Sequence, residues 1–252
     1  MNRMTEFDRE HYDALRRIWF LGDVHGVFKF LVQALLKQAE TPDWLVFLGD
    51  IDITHRPFGE ILAPLRRNFP KTQVAFIHGN HDADTHEHWA MLHDCGDAQA
   101  LHGQVIDMGG VRVAGLGGVF HGKVWSPPGP EFFADKRAAL TSSEFRYRDG
   151  AQPDPQLHAA IYPAEYRALA KTRADILVTH EAPSCHPLGF QVLDELARSM
   201  RVVRSFHGHH HDDRTADYST KRARLGFDAV GVDLCGIKNG LGEVIFPGDS
   251  SW

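Results

Sequence analysis

Five short segments of this chain concentrate side chains that bind metal ions: Gly22-Asp23-Val24-His25-Gly26, Gly49-Asp50, Gly79-Asn80-His81-Asp82, Thr179-His180 and Gly208-His209-His210-His211. Each carries Asp, Asn or His, the oxygen and nitrogen donors that suit Mn, Fe or Zn. In Asp23-x-His25 and His209-x-His211 the donors alternate. Residues two apart in an extended chain point the same way, so each pair is expected to reach one metal, with His207 and His210 turned away. Glycines beside the donors let the backbone turn sharply. The other histidines, among them His55, His78, His86 and His88, read as surface or hydrogen-bonded core residues, as does His121, unless it lines the mouth of the site. Sulfur-ligated zinc is not expected, because none of Cys95, Cys185 and Cys235 belongs to a CxxC pair.

Each segment follows a short apolar run. Ile18–Leu21, Trp44–Leu48, Val74–Ile77, Ile176–Val178 and Val202–Phe206 all read as buried strands that end in polar loops. Helical spacing follows the first three, over 28–39, 58–69 (with Pro64 a source of a kink) and 85–92. Further helices are expected over 164–171 and 192–200. Strand, polar loop and helix therefore alternate, which predicts α/β layers with function on loops at the C-terminal ends of strands. Val105–Met108 and Val111–Leu116 form an expected hairpin turning at Gly109-Gly110, which does not match a phosphate-binding loop. Residues 122–163 are rich in Pro, charge and aromatics and read as an insertion or lid. Within that segment, Lys136, Arg137, Arg146 and Arg148 read as a solvated face, and Trp125, Phe132 and Phe133 as packing. From Phe227 onward the pattern suggests antiparallel strands. A single domain spanning 1–252 is expected.

The order of these blocks, D-x-H, G-D, G-N-H-[DE], H and G-H-x-H, resembles the calcineurin-like metallophosphoesterases, and it extends from Asp23 to His211. The resemblance implies a four-layer αββα sandwich of two mixed β-sheets flanked by helices. It implies a cofactor of two divalent or trivalent metal ions, Mn foremost, with Fe and Zn as alternatives. Asp23, His25 and His211 would hold one ion, Asn80, His180 and His209 the other, and Asp50 would bridge them. A bridging hydroxide would attack the phosphorus of a phosphate ester. His81 would contact the substrate or leaving group and act as general acid, and Asp82 would orient His81 through its other ring nitrogen.

The chain departs from the protein Ser/Thr phosphatases of that superfamily, which carry G-D-x-x-D-R-G and G-N-H-E. Here the second block continues Ile51-Asp52-Ile53-Thr54-His55-Arg56, and the third ends in Asp82. Arg56 is the candidate phosphate-binding residue in place of the missing arginine. A small phosphate ester or a nucleotide is the expected substrate; a phosphoprotein and a non-catalytic protein-binding scaffold are the alternatives. The net charge of -6 gives no footprint for nucleic acid. Sparse cysteines and a charged N-terminal stretch predict a cytoplasmic protein without a signal peptide, no apolar run is long enough for a membrane helix, and no obligate protein partner is inferred.

Overall fold

A computed structural model describes residues 6–38, 40–142, 144 and 152–248, omitting the side chains of 6–8. The first sheet runs β11-β10-β1-β2-β3-β4. Its parallel part comprises β1 (Ile18–Leu21), β2 (Trp44–Leu48), β3 (Gln73–Ile77) and β4 (Gln99–Ala100). The late strands β10 (Ile237–Asn239) and β11 (Val244–Phe246) add antiparallel on the other side of β1. The second sheet runs β5-β6-β7-β8-β9. In it β5 (Val105–Asp107) pairs antiparallel with β6 (Arg112–Leu116), as the Gly109-Gly110 turn predicts. Next come β7 (Ile176–Thr179), β8 (Arg204–His207) and β9 (Asp228–Gly231), all parallel. The expectation of antiparallel pairing from Phe227 onward therefore fails for β9. Its partner, β8, connects to it through two short helices, α8 (Thr215–Ser219) and α9 (Arg222–Leu225), which a parallel crossover needs and a hairpin does not.

Strand alternation divides each sheet's apolar runs between a central core and an outer one. Ile18, Phe20, Val46, Leu48 and Ile77 face Val113, Ile176, Val178, Phe206 and Val230 of the other sheet. Phe20 stacks on Phe206 at the centre, with ring centroids 4.0 Å apart. Trp19, Leu21, Leu45, Phe47 and Phe76 face outward onto α2 (Lys29–Lys37), α3 (Phe58–Asn68) and α4 (His86–His93), through Phe30, Leu31, Phe58, Leu62 and Leu92. Ala114, Leu116, Leu177 and Ala229 face the opposite way. They meet α5 (Lys136–Thr141), α6 (Pro163–Leu169) and α7 (Gln191–Ser199). The result is the expected sandwich of two mixed sheets between helical layers, and strands covered on both faces explain the unbroken apolar runs. A further helix, α1 (Glu6–Arg16), precedes β1.

The described part of 122–163 contributes Val124, Trp125, Ala139, Leu157, Ile161 and Tyr162 to the outer core. Trp125 packs edge-on against Phe120 and Tyr166, whereas Phe132 is exposed. Lys136 lies over the Trp89 ring, 4.8 Å from its centroid, so it is not part of a solvated face. Arg146 and Arg148 lie outside the described residues. Among the described residues, no helix is long and apolar enough to cross a membrane.

Candidate metal centre

The C-terminal ends of β1, β2 and β3 in one sheet and of β7 and β8 in the other converge, and each delivers one of the five segments. Two groups of donors result. Asp23, His25 and His211 form one, and Asp50, His180 and His209 the other; within each, one ligand atom per residue lies within 4.8 Å of the rest. Asn80 joins the second group, its Oδ1 being 3.3 Å from His180 Nε2. Asp23, Asp50 and His180 are buried, and the other donors are partly exposed.

The distances suit cations. His25 Nε2 and His211 Nε2 lie 3.2 Å apart, and Asp23 Oδ2 is 3.1 Å from His211 Nε2. Asp50 Oδ2 is 3.3 Å from His180 Nε2. His180 Nδ1 sits 2.8 Å from the Leu48 carbonyl, which fixes that nitrogen as a donor and turns Nε2 toward Asp50 and Asn80. Imidazole nitrogens and carboxylate oxygens that face one another in a buried pocket form the donor set expected for Mn, Fe or Zn.

The electrostatics agree. Burial disfavours a charged Asp50, yet His180 and the His81 N–H hold its carboxyl well below the usual carboxylate range. Burial likewise disfavours a charged His180, but the Asp50 and Asp23 carboxylates outweigh it and push the imidazole up to about 10. The proton on His180 thus answers a strongly negative field that a metal ion would also answer, so metal and proton compete there. His209 is pushed down to about 4, chiefly by burial, which keeps the ring neutral and able to coordinate.

The backbone aims these side chains differently from an extended strand. His25, Asp50, His209 and His211 have φ of 40°, 44°, 69° and 54°, and Asp52 beside them has 57°. Such left-handed conformations cost non-glycine residues about 1–3 kcal/mol each and persist where the surroundings over-determine them. His209 and His211 therefore depart from the alternation expected of an extended chain: the two imidazoles go to different groups, because two left-handed residues coil the loop. Glycine is needed here for close approach as well as for turning. A Cβ on Gly79 would lie 2.2 Å from Asp50 Oδ1, and one on Gly208 2.3 Å from Asp23 Oδ1.

His81 stands at the exposed rim, its ring 5.4 Å from that of His25. The expectation that Asp82 orients it is overturned. Asp82 is fully buried and points the other way, accepting the Gly79 and Asp52 N–H groups at 2.8 Å each. It ties the β2 and β3 loops together, while burial and the charge of Asp50 push its carboxyl up to about 7. The partner of His81 is Asp84, with Oδ2 3.0 Å from Nδ1. His81–Ala83 forms a 3-10 turn, and the i,i+3 spacing of such a turn brings Asp84 beside His81. Gln156 holds this turn from far along the chain, its Nε2 donating to Asn80 O, Ala83 O and Asp84 Oδ1. Glu181, next to His180, is also buried, with Oε2 3.9 Å from His209 Nε2.

Arg56 is not grouped with the ligands: it is exposed and lines the groove between α2 and α3 with Leu31, Leu35 and Leu65. His207 is buried beside the Tyr218 hydroxyl, and His210 stacks on His186 with centroids 3.9 Å apart, so neither enters the donor groups. His78 is buried against Trp89 and His102.

Nitrogen and oxygen donors gathered at the strand ends of a four-layer α/β sandwich make a candidate metal site. Residues 16–213 match the family model described as calcineurin-like phosphoesterase, and the chain belongs to that family: it is a metal-dependent phosphoesterase. An uncharacterized protein of Haemophilus influenzae (strain ATCC 51907 / DSM 11121 / KW20 / Rd) is 36% identical over 219 residues, spanning 84% of this chain and 92% of that protein. One solved structure superposes with a TM-score of 0.54 at 12% identity, covering 91% of this chain and 97% of its own, a likeness of fold. The crystal structure of a 5'-nucleotidase from Candida albicans SC5314 overlaps more loosely, with a TM-score of 0.42 and 16% identity over 91% of this chain and 49% of that one.

Proposed function

We propose that this phosphoesterase acts on small phosphate esters with two metal ions, Mn foremost, one held by Asp23, His25 and His211, the other by Asn80, His180 and His209. Asp50 is shared between them. The observation that carries this reading is the pair of three-donor groups at the junction of the two sheets. When bound, two such cations supply charge to offset the phosphoryl oxygens and bring the pKa of a water to about 7.

The side chains divide the remaining work. Asp50 keeps its charge despite burial, as a shared ligand must. Asn80 adds a neutral oxygen, which limits the negative charge gathered at the site. The Leu48 carbonyl holds the His180 ring in one tautomer. His81, with Nδ1 engaged by Asp84, has Nε2 left to give a proton to the departing alkoxide.

The test is release of p-nitrophenol from p-nitrophenyl phosphate and bis(p-nitrophenyl) phosphate by protein reconstituted with Mn²⁺, Fe²⁺ or Zn²⁺. Turnover is expected in the wild type and is expected to vanish in Asp50→Asn. His81→Ala should lower the rate on an alkyl phosphate by roughly 10²- to 10⁴-fold. A folded protein that turns over neither ester with any of these metals refutes the reading.

A further inference from the structure

Beside the donor groups opens a cavity of about 770 Å³. His25 and His211, both from the first group, form one side. The rest is apolar: Val24, Val27, Phe30, Leu234, Phe246 and Pro247 supply most of the wall, and among the described residues no Asp, Glu, Lys or Arg side chain lines it. Its size is that of a site for a small organic molecule, about 300–1,000 Å³. The groove between α2 and α3 is of similar volume but contains Lys29, Arg56 and Asn68 and shares no residue with the donor groups. Continuity with the metal ligands therefore singles out the first cavity.

Building on the proposed function, we infer that the substrate is a phosphate ester with an apolar organic arm, alkyl or aryl. The phosphate would lie at the donor groups and the hydrocarbon in this cavity. A sugar or nucleoside would fit the chemistry poorly. Its hydroxyls would be taken from water into walls that, among the described residues, offer two imidazoles and the Cys235 thiol as hydrogen-bonding side chains, and an unpaired polar group is penalised there. Phe30 and Phe246 pack against each other at 5.9 Å with a tilt of 47°, so a base cannot be sandwiched between these two rings. A hydrocarbon arm has no such requirement and gains from each methylene removed from water.

The inference is tested by binding as well as by turnover. Isothermal titration of Mn²⁺-loaded protein with methyl- through octylphosphonate is expected to show affinity rising roughly threefold to fourfold per methylene. The heat-capacity change should grow more negative along the series. Val27 is 52% exposed, so Val27→Asp should fold, and it should flatten the series. A flat wild-type series, or adenosine monophosphate binding more tightly than octylphosphonate, overturns the inference and leaves the hydrolytic reading standing if p-nitrophenyl phosphate is turned over. A rising series without hydrolysis of any ester keeps the apolar subsite and refutes the hydrolytic reading. A flat series with no hydrolysis removes both.

Discussion

Partial burial of His81 disfavours the imidazolium, but the hydrogen bond from Nδ1 to Asp84, with the charges of Asp50 and Asp52, raises its pKa above the ordinary value. A general acid works in its protonated form, so kcat on an alkyl phosphate should fall as pH rises through that raised pKa. Asp84→Asn removes the main support for the proton. Its kcat–pH profile should therefore break at a lower pH than the wild type's; coincident profiles would exclude Asp84 from this role. Asp82→Asn should behave differently. An amide can accept only one of the two N–H groups that Asp82 accepts, leaving a buried donor unpaired at a cost of about 1–3 kcal/mol. The loss should appear in the melting temperature while the pH profile keeps its break. The donor types themselves were legible in the sequence, because Asp, Asn and His next to glycine at strand ends form a local pattern. The support for His81 was not. Asp84 is its neighbour only once the chain tightens into a 3-10 turn, and Gln156 arrives from another part of the chain with no signal in its surroundings.

At the scale of elements, the five strands that carry the ligands could be read from the sequence because both faces are covered and the runs are almost wholly apolar. Several helices could not. The helix α1 is dominated by charge, and α8 and α9 are too short to show a period. The side-by-side order of strands rests on pins such as Asp175, which precedes β7 and accepts from the backbone N–H, Nε and Nη2 of Arg112 at the start of β6. Burial works against the Asp175 carboxylate, but Arg112 lowers its pKa below 3.8. A depressed pKa contributes stability that is present above the unfolded value and lost as pH falls through the folded one. Asp175→Asn should accordingly lower the urea midpoint at pH 7, with the difference closing below about pH 3.8. A deficit that persists unchanged at pH 3 would show that charge is not the cause.

For the molecule as a whole, the donor groups draw Asp23, His25, Asp50 and Asn80 from one sheet and His180, His209 and His211 from the other. Metal bound there is linked to the packing of the sheets and to the strained loops that present the ligands. At a hundred times its dissociation constant, a metal bound at one site should add about 2.7 kcal/mol. That corresponds to a rise of roughly 5–11 °C in melting temperature for a chain of this size. Calorimetry with and without Mn²⁺, followed by chelation, checks it; a melting temperature indifferent to Mn²⁺, Fe²⁺ and Zn²⁺ would contradict the proposed ligands. The α/β layers were foreseeable from the repeat of strand, loop and helix, and the two-sheet sandwich from the family resemblance, whereas the pairing of β1 with β10 was not, since nothing in either strand names its partner across so much chain. That pairing bears on how the protein is made. Until β10 leaves the ribosome, β1 remains an open edge and the Gly22 N–H lacks the Gly236 carbonyl it bonds in the finished fold. The loop bearing Asp23 is thus secured only after all the other donors have emerged, although it is the first of them to be synthesised.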